Sequence, residues 1–228
     1  MCPFCYIGKR NFENGLKQFD GRDDIEVEWK SFQLDPDIPQ DATDTPDVYT
    51  YLSQRKGISP QQVKGMHAQV EQMAAKAGLE YHLDKTVMAN SFKAHRVIQL
   101  AKQKGLGDAA EERLFYANFT EGKDFSNPGV LTALGEEIGL AQTDINEALE
   151  NNTYAKNVQH DIAEAQQLGI NSVPFFVFNR KYAVAGAQPP NMFAQVLDKA
   201  YGEWQEEQKQ TLVQVANGES CTVDGECD

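Results

Sequence analysis

The spacing of apolar positions changes several times along the chain, and each change marks an element. Phe12, Leu16 and Phe19 recur at intervals of four and three, so residues 3–19 read as an amphipathic helix. Pro3 suits its first turn, where a backbone donor would be unpaired in any case. Residues 21–24 make a turn. Ile25-Glu26-Val27-Glu28-Trp29 then alternates with period two, as a half-buried strand does. Phe32 and Leu34 fall in the opposite phase after Ser31, the mark of a bulge or a strand end, and Asp35-Pro36-Asp37-Ile38-Pro39 leaves as a loop.

Helical spacing then dominates. Thr45-Pro46 can open a short helix carrying Val48, Tyr49 and Leu52, and Ser59-Pro60 is a stronger cap and first turn for Val63, Met66, Val70 and Met73. Met66, Val70 and Met73 read as core packing on one face, and Gly78 ends that helix. Segments 89–104, 108–121, 128–139, 143–150 and 153–168 also favour helix, with Thr143 as a cap. At Ile170-Asn171-Ser172-Val173-Pro174 the pattern turns to the aromatic run Phe175-Phe176-Val177-Phe178, a buried strand entered through a restricted X-Pro bend. Asn179-Arg180-Lys181 turns a hairpin into a short strand over 182–185. Pro189-Pro190 leads a final helix with Met192, Phe193, Val196, Leu197 and Ala200 for packing. Its Gln/Glu-rich continuation runs over 202–210, with a weakly ordered tail after Ala216.

The chain of 228 residues is long enough for its own core, and 41% hydrophobic against 24% charged residues argues against wholesale disorder. The formal charge of -13 disfavours an extended phosphate-binding surface, hence a nucleic-acid partner. No apolar run approaches a bilayer span and no signal h-region opens the chain, so no membrane partner is expected and the cytoplasm is the default address. The four cysteines are Cys2, Cys5, Cys221 and Cys227, two close pairs at opposite ends, unlike the dense framework of a small secreted domain.

Cys2-x-x-Cys5 at a helix start carries the most chemistry. Free N–H groups there stabilise a thiolate and lower the pKa of the leading cysteine. Cys2 is the expected nucleophile, and Cys5, one turn on, can resolve a mixed disulfide. Pro3-Phe4 adds no ionisable group. A structural disulfide, or half of a metal site completed by Cys221 and Cys227, are the competing readings. No histidine cluster supports the metal, so no metal ligand and no resident cofactor are assigned.

Cys2-Pro3-Phe4-Cys5-Tyr6-Ile7-Gly8-Lys9-Arg10, Trp29-Lys30-Ser31-Phe32-Gln33-Leu34, Asn90-Ser91-Phe92-Lys93-Ala94-His95-Arg96, Gly169-Ile170-Asn171-Ser172-Val173-Pro174-Phe175-Phe176 and Ala185-Gly186-Ala187-Gln188 together resemble the FrnE-like branch of the DsbA thioredoxin-fold oxidoreductases. The resemblance covers about residues 1 to 200. It implies an α/β thioredoxin-like fold with a large inserted all-helical subdomain, divided as 1–44 and 169–204 for the thioredoxin-like domain, 45–168 for the insertion and 205–228 for a C-terminal extension. It also implies a redox-active Cys2/Cys5 pair and a cis peptide before Pro174. Such a peptide leaves the Val173 backbone open to an extended substrate. Members of the family carry a strand ahead of the CxxC helix. This sequence opens at Met1-Cys2, so the first strand is expected to be absent from the sheet.

The function expected is thiol–disulfide oxidoreduction, with or without isomerisation, on protein thiols or disulfides. Pro174 joins the cysteines at the catalytic site, and Phe4, Val173 and Phe175 are the candidate substrate-binding residues. Phe175 equally suits the core. Cys221-x5-Cys227 is a candidate relay, since some FrnE-like proteins carry a second tail pair; a static disulfide suits the same spacing. Glutathione or a partner reductase would serve as redox co-substrate. His95 reads as a packing or capping residue, and Arg96 as a salt-bridge residue or a carboxylate contact. Two other functions fit the sequence: a glutathione-linked transferase or 2-hydroxychromene-2-carboxylate isomerase, whose usual serine is Cys2 here, and a client-binding chaperone module. Nothing in the sequence selects the reaction direction, the client or the oligomeric state.

Overall fold

The computed structural model describes residues 1–40 and 45–208. Helix α1 (Pro3–Leu16) starts at N-cap Cys2 with Pro3 in its first turn. It buries Gly8, Phe12 and Gly15, at intervals of four and three, with Tyr6 and Ile7 beside them. The hairpin β1 (Phe175–Phe178) and β2 (Tyr182–Ala185) is antiparallel, with Phe175 opposite Ala185 and Phe178 opposite Tyr182. Its turn places Asn179 and Arg180 at φ 50° and 56°, the left-handed pair that a two-residue-type hairpin turn demands. Helix α9 (Pro190–Gln208) closes over both. Phe12, Val184, Phe193 and Leu197 form the core between α1, the hairpin and α9, with Phe176 packed against it.

Between the two halves of this core lie α2 (Val48–Lys56), α3 (Pro60–Lys76), α4 (Phe92–Gln103), α5 (Gly107–Phe119), α6 (Pro128–Glu137), α7 (Gln142–Glu150) and α8 (Thr153–Gln167). Ala94, Val97, Ile98 and Ala101 of α4, Leu131 and Leu134 of α6 and Ile145 of α7 share one core. A second core joins this insertion to α1 through Tyr6, Ile7, Ala74, Leu79, Tyr81, Phe115 and Phe119. The architecture is thus an α/β thioredoxin-like core carrying a large all-helical insertion. Among the described residues the sheet has two strands, and the strand that the resemblance places ahead of α1 is not in it. No helix among them is long and apolar enough to cross a membrane.

Several expectations are corrected. Residues 25–29 form no strand, because a ladder needs a paired backbone. The nearby Ser31 N–H is instead accepted by Asp161 Oδ2 at 2.9 Å, and Gln99 donates to both Ser31 Oγ and Asp161. Asp47, not Thr45, caps α2, accepting from the N–H groups of Tyr49 and Thr50. Helix α7 begins at Gln142 after Ala141, so Thr143 lies inside it. Met66 and Met73 of α3 are exposed, each at 42%, and Met192 of α9 at 40%: Val63 and Ala74 take the buried side of α3, and none of the described residues covers the methionine face. The Ser59 cap holds, as a reciprocal capping box with Gln62.

Candidate active site

Helix α1 presents Cys2 at its N-cap and Cys5 one turn later, both as free thiols. The residue after the N-cap being proline fixes the entry of the chain into the turn. Opposite them stands the loop before β1. The Val173–Pro174 peptide is cis, as the resemblance implied. The Cys2 thiol donates to the Val173 carbonyl across 3.6 Å, so two residues 171 positions apart in sequence meet at the reactive sulfur.

Close approach of this loop to α1 depends on Gly8. A Cβ there would lie 3.0 Å from Pro174 Cγ and 3.3 Å from Phe176 Cζ. The loop is held from behind by Gly186, whose N–H donates to the Pro174 carbonyl at 2.8 Å. Gly186 sits at φ +80°, a conformation costly for a side-chain-bearing residue. Asn11 of α1 donates to the Gln188 carbonyl at 2.9 Å. The Ala185-Gly186-Ala187-Gln188 stretch therefore clasps helix and proline loop together.

The two thiols are driven apart electrostatically. Cys2 is lowered to about 7. The largest cause is the hydrogen bond that the Cys5 thiol donates to it, opposed by burial and reinforced by the backbone N–H groups of Cys5 and Phe4. The neutral thiol makes no capping bond to the first turn; it is the ionised sulfur that these donors hold. Cys5 is raised well above the ordinary thiol value, first because it gives its proton to that bond, then by burial, then by the charges of Cys2 and Glu111. Such a split leaves one sulfur ready to attack at neutral pH while its neighbour keeps its proton.

Beneath the pair, α5 brings a layer of charge that the sequence did not announce. Lys9 is only 3% exposed; it is bonded to Glu13 and lies 3.0 Å from Glu112 and 3.2 Å from Asp108. Arg10 reaches Glu13 and Glu112 at 2.7 and 2.6 Å, and Trp29 Nε1 donates to Asp108 at 3.1 Å. Glu111 is buried in the same layer, and burial raises its carboxyl to about 8 against an ordinary 4.5. Lys9 stands four residues after Cys5, a spacing visible in the sequence. Its α5 partners Asp108 and Glu112, about a hundred positions away, carry no local signal.

Glu111 yields a prediction for pH. Between pH 4.5 and about 8 the native state holds one proton that the unfolded chain has released, so stability falls as pH rises through that window, by up to about 1.4 kcal/mol per pH unit. Glu111→Gln keeps the shape without the proton equilibrium. Its urea midpoint is expected to lose this slope and to exceed that of the parent increasingly towards pH 8. Parallel midpoints across that range would refute the assignment.

The other candidates are placed as follows. Phe4 is exposed at 38% beside the cysteines in the first turn. Val173 and Phe175 are half-buried. His95 is half-buried, and loss of solvent around its ring lowers it to about 4, so it is a neutral packing residue. Arg96 is buried and donates to the Asn151 carbonyl, which corrects the expected salt bridge or carboxylate contact. Asn90 accepts from Phe92 N–H and donates to the Ile38 carbonyl at 2.5 Å, pinning the 36–38 loop. Cys221 and Cys227, with the tail that carries them, lie outside the described residues.

Comparison with known proteins agrees with this geometry. The family model for DSBA-like thioredoxin domains matches residues 1–198. The structure resembles that of a probable DsbA oxidoreductase, SCO1869, from Streptomyces coelicolor, with a TM-score of 0.84, 35% identity, and coverage of 100% of this chain and 94% of that one. The uncharacterized protein YwbO of Bacillus subtilis (strain 168) is 28% identical over 200 residues, spanning 86% of this chain and 91% of that protein. The fold also matches the cytosolic disulfide reductase DsbM from Pseudomonas aeruginosa with glutathione, at a TM-score of 0.57 and 17% identity, covering 91% and 95%. A CxxC pair at the head of a helix, facing a cis-proline loop within a matched span of nearly two hundred residues, makes this chain a member of the DSBA-like thioredoxin family and a thiol–disulfide oxidoreductase.

Proposed function

We propose that Cys2 is the attacking thiolate and Cys5 the resolving thiol in exchange with protein disulfides. The observation that carries this reading is the place of Cys2 at the N-cap of α1, 3.6 Å from the Val173 carbonyl of the cis-Pro174 loop, with Cys5 one turn on; the lowering of Cys2 and raising of Cys5 agree with it. The Cys2 thiolate attacks one sulfur of a client disulfide; a Cys2–client bond forms and the other client sulfur leaves as thiolate. Cys5 then gives up its proton and attacks Cys2, closing Cys2–Cys5 and releasing the second client thiol. The client gains two electrons and the chain loses them. Read backwards, the same steps oxidise a client dithiol.

Pro174 closes the site beside Cys2, and Phe4, Val173 and Phe175 receive the extended client segment, Phe4 by its exposed ring and Val173 by its backbone. The chain is assigned to the FrnE-like branch on its five quoted segments, with 1–44 and 169–204 as the catalytic unit, 45–168 as the insertion and 205–228 as an extension whose Cys221/Cys227 pair relays electrons. Glutathione is the proposed co-substrate and the cytoplasm the proposed location; the fold shared with a cytosolic disulfide reductase solved with glutathione supports both.

Cys5→Ala provides the test. With the resolving thiol gone, a mixed disulfide between Cys2 and a client cysteine is expected to accumulate from below detection to a large share of the protein, identified by peptide mass spectrometry. Accumulation only of a glutathione adduct would favour the transferase-like reading, and no adduct at all would overturn the mechanism.

A further inference from the structure

Tyr81 lies in the segment between α3 and α4, far from the cysteines in sequence, and the reaction as described gives it no role. It is 7% exposed, packed between Tyr6 and Phe119 with ring centroids at 6.1 and 5.0 Å. Its hydroxyl donates to the Pro3 carbonyl at 2.7 Å. The segment is itself anchored: His82 N–H donates to the Phe119 carbonyl at 2.7 Å, and Thr120 Oγ1 to that of Glu80 at 2.5 Å. The phenol is therefore held in place, with little freedom to leave its acceptor.

The Pro3 carbonyl and the Phe4 N–H belong to one peptide plane, and Phe4 is the second residue of α1 after N-cap Cys2, the position whose N–H an ionised cap group accepts from. A donor on the carbonyl side of an amide withdraws electron density from it and strengthens the N–H on the other side, and it also fixes the plane's orientation. We propose that Tyr81 is a positioning residue for the redox site, acting through the relay Tyr81 O–H to Pro3 C=O, Phe4 N–H to Cys2 sulfur. The insertion thus sets the reactivity of a cysteine in the thioredoxin-like core. This rests on Cys2 being the attacking sulfur.

The test is Tyr81→Phe, which keeps the ring between Tyr6 and Phe119 and removes only the donor. Cys2 ionisation is followed by thiolate absorbance and by the alkylation rate at Cys2, mapped by mass spectrometry. In the parent the midpoint is expected at about 7. In the variant it should rise by about half a pH unit, lowering alkylation at pH 7 roughly twofold while the rates converge above pH 9. Tyr6→Phe serves as control: its hydroxyl donates to Glu112, and its loss should leave the midpoint in place. In the parent, the Phe4 amide proton should also shift with the Cys2 midpoint by NMR, and by less in Tyr81→Phe. An unchanged midpoint in Tyr81→Phe, with or without a fall in Tm, overturns the proposal and leaves Tyr81 a packing residue. A parent Cys2 that titrates as an ordinary thiol overturns the reading of Cys2 instead, and this proposal with it.

Discussion

Cys2→Ser is expected to remove thiol–disulfide exchange altogether, by at least about three orders of magnitude, because a serine hydroxyl is almost wholly un-ionised at neutral pH and forms no disulfide. The sulfur it replaces is largely buried and donates to the Val173 carbonyl. A serine hydroxyl is of similar size and can still donate, so folding should be kept and the Tm should move little. The measurement is turnover of a protein disulfide by the purified variant beside its urea midpoint. Intact folding with lost turnover separates the oxidoreductase from a chaperone module, since client holding by the latter would survive the substitution. Residual exchange near the parental rate would mean that the attacking sulfur is another one.

Phe193→Ala is expected to have the largest effect on stability, about 3–5 kcal/mol. Phe193 is fully buried. Its ring sits edge-on to Phe12 of α1 at 5.7 Å and to Phe176 of β1 at 4.7 Å, so one side chain joins α9, α1 and the hairpin. With a two-stranded sheet, few backbone bonds tie these elements together and the aromatic contacts carry much of the union. The loss should appear as a fall of roughly 10 °C in Tm for a chain of this size. It should affect exchange less, since the cysteines lie at the other end of α1. A change below about 1 kcal/mol would show that the cavity is refilled by its neighbours.

The contrast between these substitutions follows the layout of the molecule. Reactivity is concentrated at the first turn of α1, where Cys2 meets the Val173 carbonyl and Cys5 follows one turn on. Stability is distributed along the rest of that helix, through Phe12 to the hairpin and α9, and through Tyr6, Lys9 and Arg10 to α5. Helix α1 is therefore shared between the thioredoxin-like core and the insertion, and a change on either side of it can reach the cysteines.

Features set by neighbours in sequence were legible in advance. Pro3 after Cys2 marks a helix start, Ser59-Pro60 with Gln62 marks a capped one, and Asn179-Arg180 marks a tight hairpin; each depends on backbone groups within a few residues, so the local sequence determines it. The sequence also placed Cys2 and Cys5 one turn apart at a helix N-terminus, which is most of the redox chemistry. The tertiary structure decided what meets them. Helical period puts Met66, Val70 and Met73 on one face without saying whether another element covers it, and the methionines proved exposed. Period two suits residues 25–29 to a strand, yet a ladder needs a partner backbone, and side chains of α4 and α8 took the polar role near Ser31. Val173 opposite Cys2 and Tyr81 on the Pro3 carbonyl are contacts across 171 and 78 positions. No local spacing encodes them, because which surfaces meet depends on how all the cores close together.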